Sequence, residues 1–242
     1  MSENLTKTTY ITLDIDWACD EVITDTLDLL DSLDLPATIF ITHDTPLLKR
    51  MRKNPRIELG IHPNFCPLLQ GRSVLPDYHA VIHELITLVP EAICARSHAL
   101  VDASPILVAF AGQGFRLDMN MFVPFSSGIC LTTFKHYSGL TRAPYFYEDD
   151  AYCFETDKRT PEAHLLEASG SLQVFNFHPI HLYLNTETMT RYERARPYFQ
   201  DFPNLEQFVN QDPENGARAF LNRLVNCART NGYTFGKASD LL

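Results

Sequence analysis

Runs of apolar and β-branched residues of strand length alternate with segments of helical spacing along most of this chain. Each parallel strand needs a crossover, usually a helix, to bring the chain back, so this alternation is the pattern of a parallel α/β sheet, open or closed into a barrel. The first run, Tyr10-Ile11-Thr12-Leu13, reads as a buried strand that closes on Asp14, Ile15 and Asp16. Asp20 is placed to cap a helix striped by Ile23, Leu27, Leu30 and Leu33, which Pro36 ends. Residues 37–42 form the next strand, Thr45-Pro46 opens a helix, and residues 57–62 form a third strand stopped by Pro63. A helix over about 77–88 leads to a short strand over 93–96 that ends at Ser97-His98. Ser104-Pro105 opens another helix, closed by Gly112 and Gly114, and residues 115–117 make a short strand before Asp118.

The pattern then weakens. Between about 123 and 168, prolines, glycines and aromatics predict shorter strands and long loops around Thr132-Thr133-Phe134 and Pro144-Tyr145-Phe146-Tyr147. A clear strand returns over 172–177 and runs into His178-Pro179-Ile180-His181. Phe220, Leu221, Leu224, Val225 and Ala228 stripe a helix that Gly232 ends, and residues 233–235 make the last strand. No repeat, linker or low-complexity tract divides the 242 residues, so one domain over 1–242 is expected.

Composition narrows the partners. A formal net charge of -10 argues against nucleic acid. No window is long and apolar enough for a membrane span, and the first residues lack an apolar run, so the expected compartment is the cytoplasm. The six cysteines are scattered without a CxxC pair, which suits reduced thiols.

The polar chemistry gathers at strand ends: Asp14 and Asp16, His62, Arg96 and His98, Asp118, and His178. In a β/α barrel the carboxyl ends of separate strands converge on one face, which turns these positions into one candidate pocket. Asp14 and Asp16 fall on the same side of an extended chain. Two such carboxylates repel, and a metal or an arginine is needed to hold both ionised. Taken singly, each residue has a plainer reading: an aspartate capping a helix, His62 as a hydrogen-bonded strand-end histidine, His178 ending a strand before Pro179, Arg96 pairing with a surface acid. The joint order of Asp-x-Asp, His, Arg and His at successive strand ends favours a metal site. His43, His79, His83, His136 and His164 fall in helices or loops and read as solvated, and Cys66 as a buried or loop thiol.

Those motifs resemble the polysaccharide deacetylase superfamily, the NodB-homology or carbohydrate esterase 4 group, and most closely its WbmS-like branch associated with bacterial surface-polysaccharide synthesis. The resemblance runs in motif order through Thr12-Leu13-Asp14-Ile15-Asp16, Gly60-Ile61-His62-Pro63-Asn64-Phe65-Cys66, Arg96-Ser97-His98 and Phe175-Asn176-Phe177-His178-Pro179. It implies a distorted (β/α) barrel, here of about seven parallel strands, and a metal-dependent hydrolase that removes an N-acetyl group from a sugar or sugar-linked precursor. It also implies Asp14 as general base, Asp16 and His62 as metal ligands, and His178 as the acid that protonates the leaving amine. Arg96 would hold Asp14 ionised.

Two departures stand out. The second motif normally carries another histidine four residues after His62, and Cys66 stands there. The third normally reads Arg-x-Pro-aromatic, and His98 stands in place of the proline. An open catalytic zinc site usually has three protein ligands. Cys66, Asn64, His98 and His181 compete for the third place, and His98 is chosen because it closes the strand that also carries Arg96. Zinc is the expected cofactor, with nickel, cobalt or iron compatible with the ligand types.

Arg142-Ala143-Pro144-Tyr145 repeats the Arg-x-Pro-Tyr spelling but comes late in the chain. The stretch 142–150 is expected to form a substrate loop or to supply a supporting carboxylate. The expected glycan or small-molecule substrate would meet Tyr145, Phe146 and Tyr147, with Glu148, Asp149, Asp150 and His181 binding it. Two rival functions remain: hydrolysis of a small non-sugar amide, and a degenerate barrel that binds a glycan or partner protein without turnover.

Overall fold

The computed structural model describes residues 7–154, 162–166 and 171–242. Its elements run β1 (Thr8–Asp14), α1 (Asp20–Ser32), β2 (Ala37–Ile41), α2 (Leu48–Lys53), β3 (Ile57–Ile61), α3 (Cys66–Leu69) and α4 (Tyr78–Leu88). Then come β4 (Cys94–Ala95), α5 (Ser104–Gly112), β5 (Leu117–Asp118), β6 (Phe134–Lys135), β7 (Thr141–Arg142), β8 (Tyr147–Glu148), α6 (Asp149–Phe154) and α7 (Glu162–Leu166). The chain ends with β9 (Gln173–Phe177), α8 (Pro179–Leu184), α9 (Met189–Ala195), α10 (Phe202–Leu205), α11 (Ala217–Thr230) and β10 (Thr234–Gly236).

The strands join one sheet in the order β6-β7-β5-β4-β3-β2-β1-β9-β8, with β10 also on β1. Only β6 and β7 pair antiparallel among the described residues. The sheet curls into a distorted, incomplete (β/α) barrel with helices packed on its outside. About seven parallel strands were expected, and ten strands form. The surplus comes from the weakly patterned region, where β6, β7 and β8 have two residues each. Strands that short leave no periodicity to read.

β1 is the axis of the sheet. Thr9–Leu13 pair with β9 along one edge. On the other edge β10 takes Thr8–Tyr10 and β2 takes Thr12–Asp14. Side chains alternate along a strand, so Ile11 and Leu13 join the outer core under the helices, while Tyr10 joins an inner cluster with Phe40, Cys94, Leu117, Met119, Tyr145 and Val174. Toward the carboxyl ends the same inner face turns polar: Thr12 and Asp14 on β1, His62 after β3, Arg96 after β4, Asn176 and His178 on and after β9. All six are buried.

Two expectations shift, at Asp20 and at His43. Asp20 does not cap α1: Cys19 stands at the cap, and the Asp20 carboxylate accepts from Thr45 Oγ1 at 2.6 Å. Asp77 does cap α4, accepting from the Ala80 N–H at 2.9 Å. His43 is half-buried against Thr42 Oγ1 at 2.8 Å, whereas His79 and His83 are exposed. The side chain of His164 lies outside the described residues.

Gly60 on β3 is a place where packing leaves no room. A Cβ there would meet Phe40 Cδ1 at 2.6 Å and the Cys94 carbonyl oxygen at 2.9 Å. Phe40 in turn carries the Arg96 guanidinium 4.6 Å from its ring centre. Gly60→Ala is therefore expected to destabilise the fold by about 1–3 kcal/mol, the range for an overpacked core. Urea denaturation measures it, and an unchanged midpoint would mean that the Phe40 ring moves freely.

Candidate metal centre

β1 ends at Asp14, and the chain turns at once. Asp16 and Trp17 take positive φ angles of 39° and 56°, and Ala18 N–H closes the turn on the Ile15 carbonyl at 2.8 Å. A non-glycine residue in the left-handed region costs on the order of 1 kcal/mol, and such strain is held where the surroundings require it. Here it swings the Asp16 carboxylate across to the ends of β3 and β4. Asp16 therefore arrives by a turn and not by the strand alternation expected of Asp-x-Asp.

Asp16 Oδ1 lies 3.2 Å from His62 Nε2 and 3.1 Å from His98 Nδ1. The two imidazoles sit edge to face with centres 5.5 Å apart. His98 is presented by a second strained loop. Its N–H bonds the Pro63 carbonyl at 2.9 Å, and Ala99 and Leu100 follow at φ 53° and 52°. Asp16, His62 and His98 offer one ligand atom each within 4.8 Å of one another. Cys66, on α3, belongs to no such group among the described residues, and its N–H is held by Asn64 Oδ1 at 3.0 Å. One carboxylate and two imidazoles suit a divalent ion with an open position. The buried Nδ1 of His62, without a hydrogen-bond partner and 3.5 Å from Asp14 Oδ1, fits a ring aimed at an ion through Nε2.

Asp14 lies beside this group, 1% exposed. Burial pushes its carboxyl up, but the charges of Arg96, His62 and His178 outweigh that and hold it below the usual range. Arg96 Nη1 reaches Asp14 Oδ1 at 3.1 Å, and Asn176 Nδ2 donates to Oδ2 at 2.8 Å. For Asp16, hydrogen bonds from His62 and His98 overcome burial and drive the pKa far down.

On the other side stands His178. Its Nδ1 bonds Asp149 Oδ1 at 2.7 Å, and its N–H donates to Asp149 Oδ2 at 2.9 Å. Its Nε2 faces inward, 3.7 Å from Asp16 Oδ2 and 3.9 Å from Asp14 Oδ2. Burial alone would lower the imidazolium pKa, yet Asp149 above all raises it well above the ordinary value. A cleft of about 330 Å³ opens from the site between Asp16, Trp17, His98, Asp150, His181 and Tyr192.

The substrate residues expected from the sequence divide. Asp150 and His181 line the cleft. Tyr145 and Tyr147 do not: they are 0% and 4% exposed and belong to the two cores. Tyr145 packs on Arg96 with its ring centre 4.4 Å from the guanidinium carbon, and Tyr147 stacks on Phe220 at 4.5 Å. Phe146, 5% exposed, is core as well. Asp149 is spent on His178. Glu148, 9% exposed, is spent on Tyr145 and Asn176 instead of facing a ligand. Arg142 forms no substrate loop, for its guanidinium pairs with Asp118 at 2.8 Å and Asp102 at 2.6 Å. Trp17 and Tyr192 at the cleft were not foreseen, since a turn and a short helix leave no periodic signal. Asn176 carried a signal that went unread: an amide in the middle of an apolar strand demands partners.

A family model described as WbmS-like polysaccharide deacetylase matches residues 11–196. The chain belongs to this family. A WbmS structure from Bordetella bronchiseptica, a candidate polysaccharide deacetylase involved in O-antigen biosynthesis, is 38% identical, with a TM-score of 0.83 over 91% of this chain and 90% of that one. Two other structures share the fold at low identity. They are the Bc1960 peptidoglycan N-acetylglucosamine deacetylase (12% identity, TM-score 0.55, 99% and 90% covered) and a Streptomyces lividans family 4 carbohydrate esterase (12%, 0.53, 95% and 92%). No match was found among curated proteins. No helix of this WbmS-like chain, among the described residues, is long and apolar enough to cross a membrane.

The geometry ranks the candidate metal ligands. His98→Ala is expected to weaken Zn²⁺ binding roughly as much as His62→Ala, and Cys66→Ser to leave it nearly unchanged. Calorimetric titration of the three variants with Zn²⁺ checks the order, and the reverse ranking would move the third ligand to Cys66.

Proposed function

We propose that this chain is a metal-dependent deacetylase that hydrolyses an N-acetyl group on a sugar or sugar-linked precursor of a bacterial surface polysaccharide. The observation that carries this reading is the pairing of opposite protonation states around one donor set. A carboxylate held ionised (Asp14) and an imidazole held protonated (His178) both face the Asp16–His62–His98 group, 3.9 Å apart at their nearest atoms. Two titratable groups driven apart in this way are a natural base and acid.

Zn²⁺ held by Asp16, His62 and His98 would supply Lewis acidity toward the amide carbonyl. The chain's own residues do the proton work. Asp14 takes a proton from water as the water oxygen bonds to the carbonyl carbon. His178, its Nδ1 tied to Asp149, gives the Nε2 proton to the amide nitrogen as the C–N bond breaks, so acetate and a free amine leave. Arg96 keeps Asp14 ionised between turnovers. The aromatic face of Trp17, 38% exposed at the cleft, offers a sugar ring a surface to pack on. The loss of the second-motif histidine is the feature behind the rival reading of a barrel without turnover. His98 beside Asp16 and His62 supports an active site instead.

Asp14→Asn is expected to lower acetate release from N-acetylated amino-sugar oligosaccharides by about 10²–10⁴-fold while Zn²⁺ content stays near that of the parent. Elemental analysis beside the activity assay checks this, and a variant of normal activity would remove Asp14 from the mechanism.

The Asp149 partnership also sets a pH dependence. Asp149 raises the His178 pKa, so the acid form persists to higher pH than in an ordinary imidazole and is lost as pH rises through that raised value. The pairing likewise stabilises the fold fully below about pH 6.5, the unfolded value, and fades above it. Asp149→Asn should move the alkaline limb of the kcat/KM profile to lower pH. A pH–rate profile in which that limb stays in place would assign it to another group.

A further inference from the structure

Asn176 is 0% exposed and hydrogen-bonds Thr12, Asp14, Arg96 and Glu148. Register places it opposite Thr12 on β1 and opposite Glu148 on β8, so the three side chains form one row across the sheet. Its Oδ1 accepts from Thr12 Oγ1 at 2.9 Å and from Arg96 Nη1. Its Nδ2 donates to Asp14 Oδ2 at 2.8 Å and to Glu148 Oε1 at 3.1 Å. Arginine can only donate and an ionised carboxylate can only accept, so the amide has one workable orientation. Reversing it would aim an amino group at Arg96 and an oxygen at two acids.

We propose that Asn176 is the positioning residue of the catalytic base, turning and holding the Asp14 carboxylate for proton abstraction through its amino group. The inference rests on the deacetylase reading above. Arg96 alone does not define the carboxylate plane, because its Nη1 spans both oxygens, at 3.1 and 3.4 Å. The Asn176 bond to Oδ2 selects one rotation about the Asp14 side chain. Thr12 completes the clamp by accepting from Arg96 at 3.1 Å while donating to the Asn176 oxygen. The second acid on the amide competes weakly. Burial, then the charges of Asp150 and Asp14, push Glu148 up to about 7, so near neutral pH it is partly uncharged. The shared amino group lies closer to Asp14, at 2.8 Å against 3.1 Å to Glu148.

A group that acts through the base affects turnover more than substrate binding. Asn176→Leu removes the donor, and the near-isosteric Asn176→Asp keeps an acceptor for Arg96 but places a third carboxylate where the donor was. Both are expected to lower kcat about 10²-fold, with KM within about threefold and Zn²⁺ content unchanged. Thr12→Val, which removes one of the two donors to the amide oxygen without cutting the bond to Asp14, should cost about three- to tenfold in kcat and remains readable if the two Asn176 variants do not fold. Metal-loaded Asn176→Asp or Asn176→Leu protein with kcat within threefold of the parent overturns the proposal. So does a loss confined to KM or accompanied by equal loss of metal, which would make Asn176 merely structural. Asp14→Asn serves as the control. If it too retains activity, the deacetylase mechanism fails; if it alone loses activity, only the role of Asn176 does.

Discussion

The structure depends on one buried cation. Arg96 is fully buried, and an unpaired guanidinium there would cost several kcal/mol or more. The barrel interior is arranged to prevent that. Asp14 neutralises the charge, Thr12 and Asn176 accept from Nη1, and the Met119 carbonyl accepts from Nε at 2.9 Å. Phe40 and Tyr145 give ring faces to the guanidinium, and Gly60 leaves space for Phe40. Strands β1, β2, β3, β4 and β9, together with Tyr145 just before β8, all contribute to this one group. The base of the proposed reaction is thus also the counter-ion of the core.

Four acids of the barrel interior and its mouth behave differently, with Asp14, Asp118 and Glu148 buried and Asp16 partly exposed. Asp14 and Asp16 are held below the usual carboxylate range, while Glu148 and Asp118 are pushed up to about 7 and about 6. Burial raises all four. The difference lies in how many donors or positive charges each one meets. Asp14 has Arg96, His62 and His178, and Asp16 has the histidine pair. Glu148 accepts from a neutral phenol and a neutral amide, with Asp150 and Asp14 opposing its charge. Asp118 has one arginine, which Asp102 shares.

Strain is placed beside the candidate ligands. The left-handed pairs Asp16–Trp17 and Ala99–Leu100 flank the two loops that meet at Asp16 and His98. Neither pair contains a glycine, so neither loop adopts this form by preference. Hydrogen bonds from the Trp17 N–H to Thr42, from the Ser97 N–H to Asn120 and from the His98 N–H to Pro63 hold them. A site whose ligands are held in place before an ion arrives spends less of the binding energy on ordering them.

Much of this could be read from residues alone. The long runs that became β1, β2, β3 and β9 carry strong local signals, and Asp14, His62, Arg96 and His178 are legible because each closes a strand. The parallel order follows from strand–helix alternation, since backbone chemistry leaves few other ways to connect such runs. Other features depended on the fold. Two-residue strands β6, β7 and β8 exist only because neighbours supply their hydrogen bonds, and Tyr145 and Tyr147 looked like a binding surface until packing enclosed them. Asp16 needed a turn that no residue preference announces. His98 and Cys66 are both plausible ligands by type, and only the distance to Asp16 separates them. Asn176 was visible as a polar residue in an apolar strand. Its four partners come from two other strands and a strand end, brought together by register and curvature, and tertiary structure alone decides those.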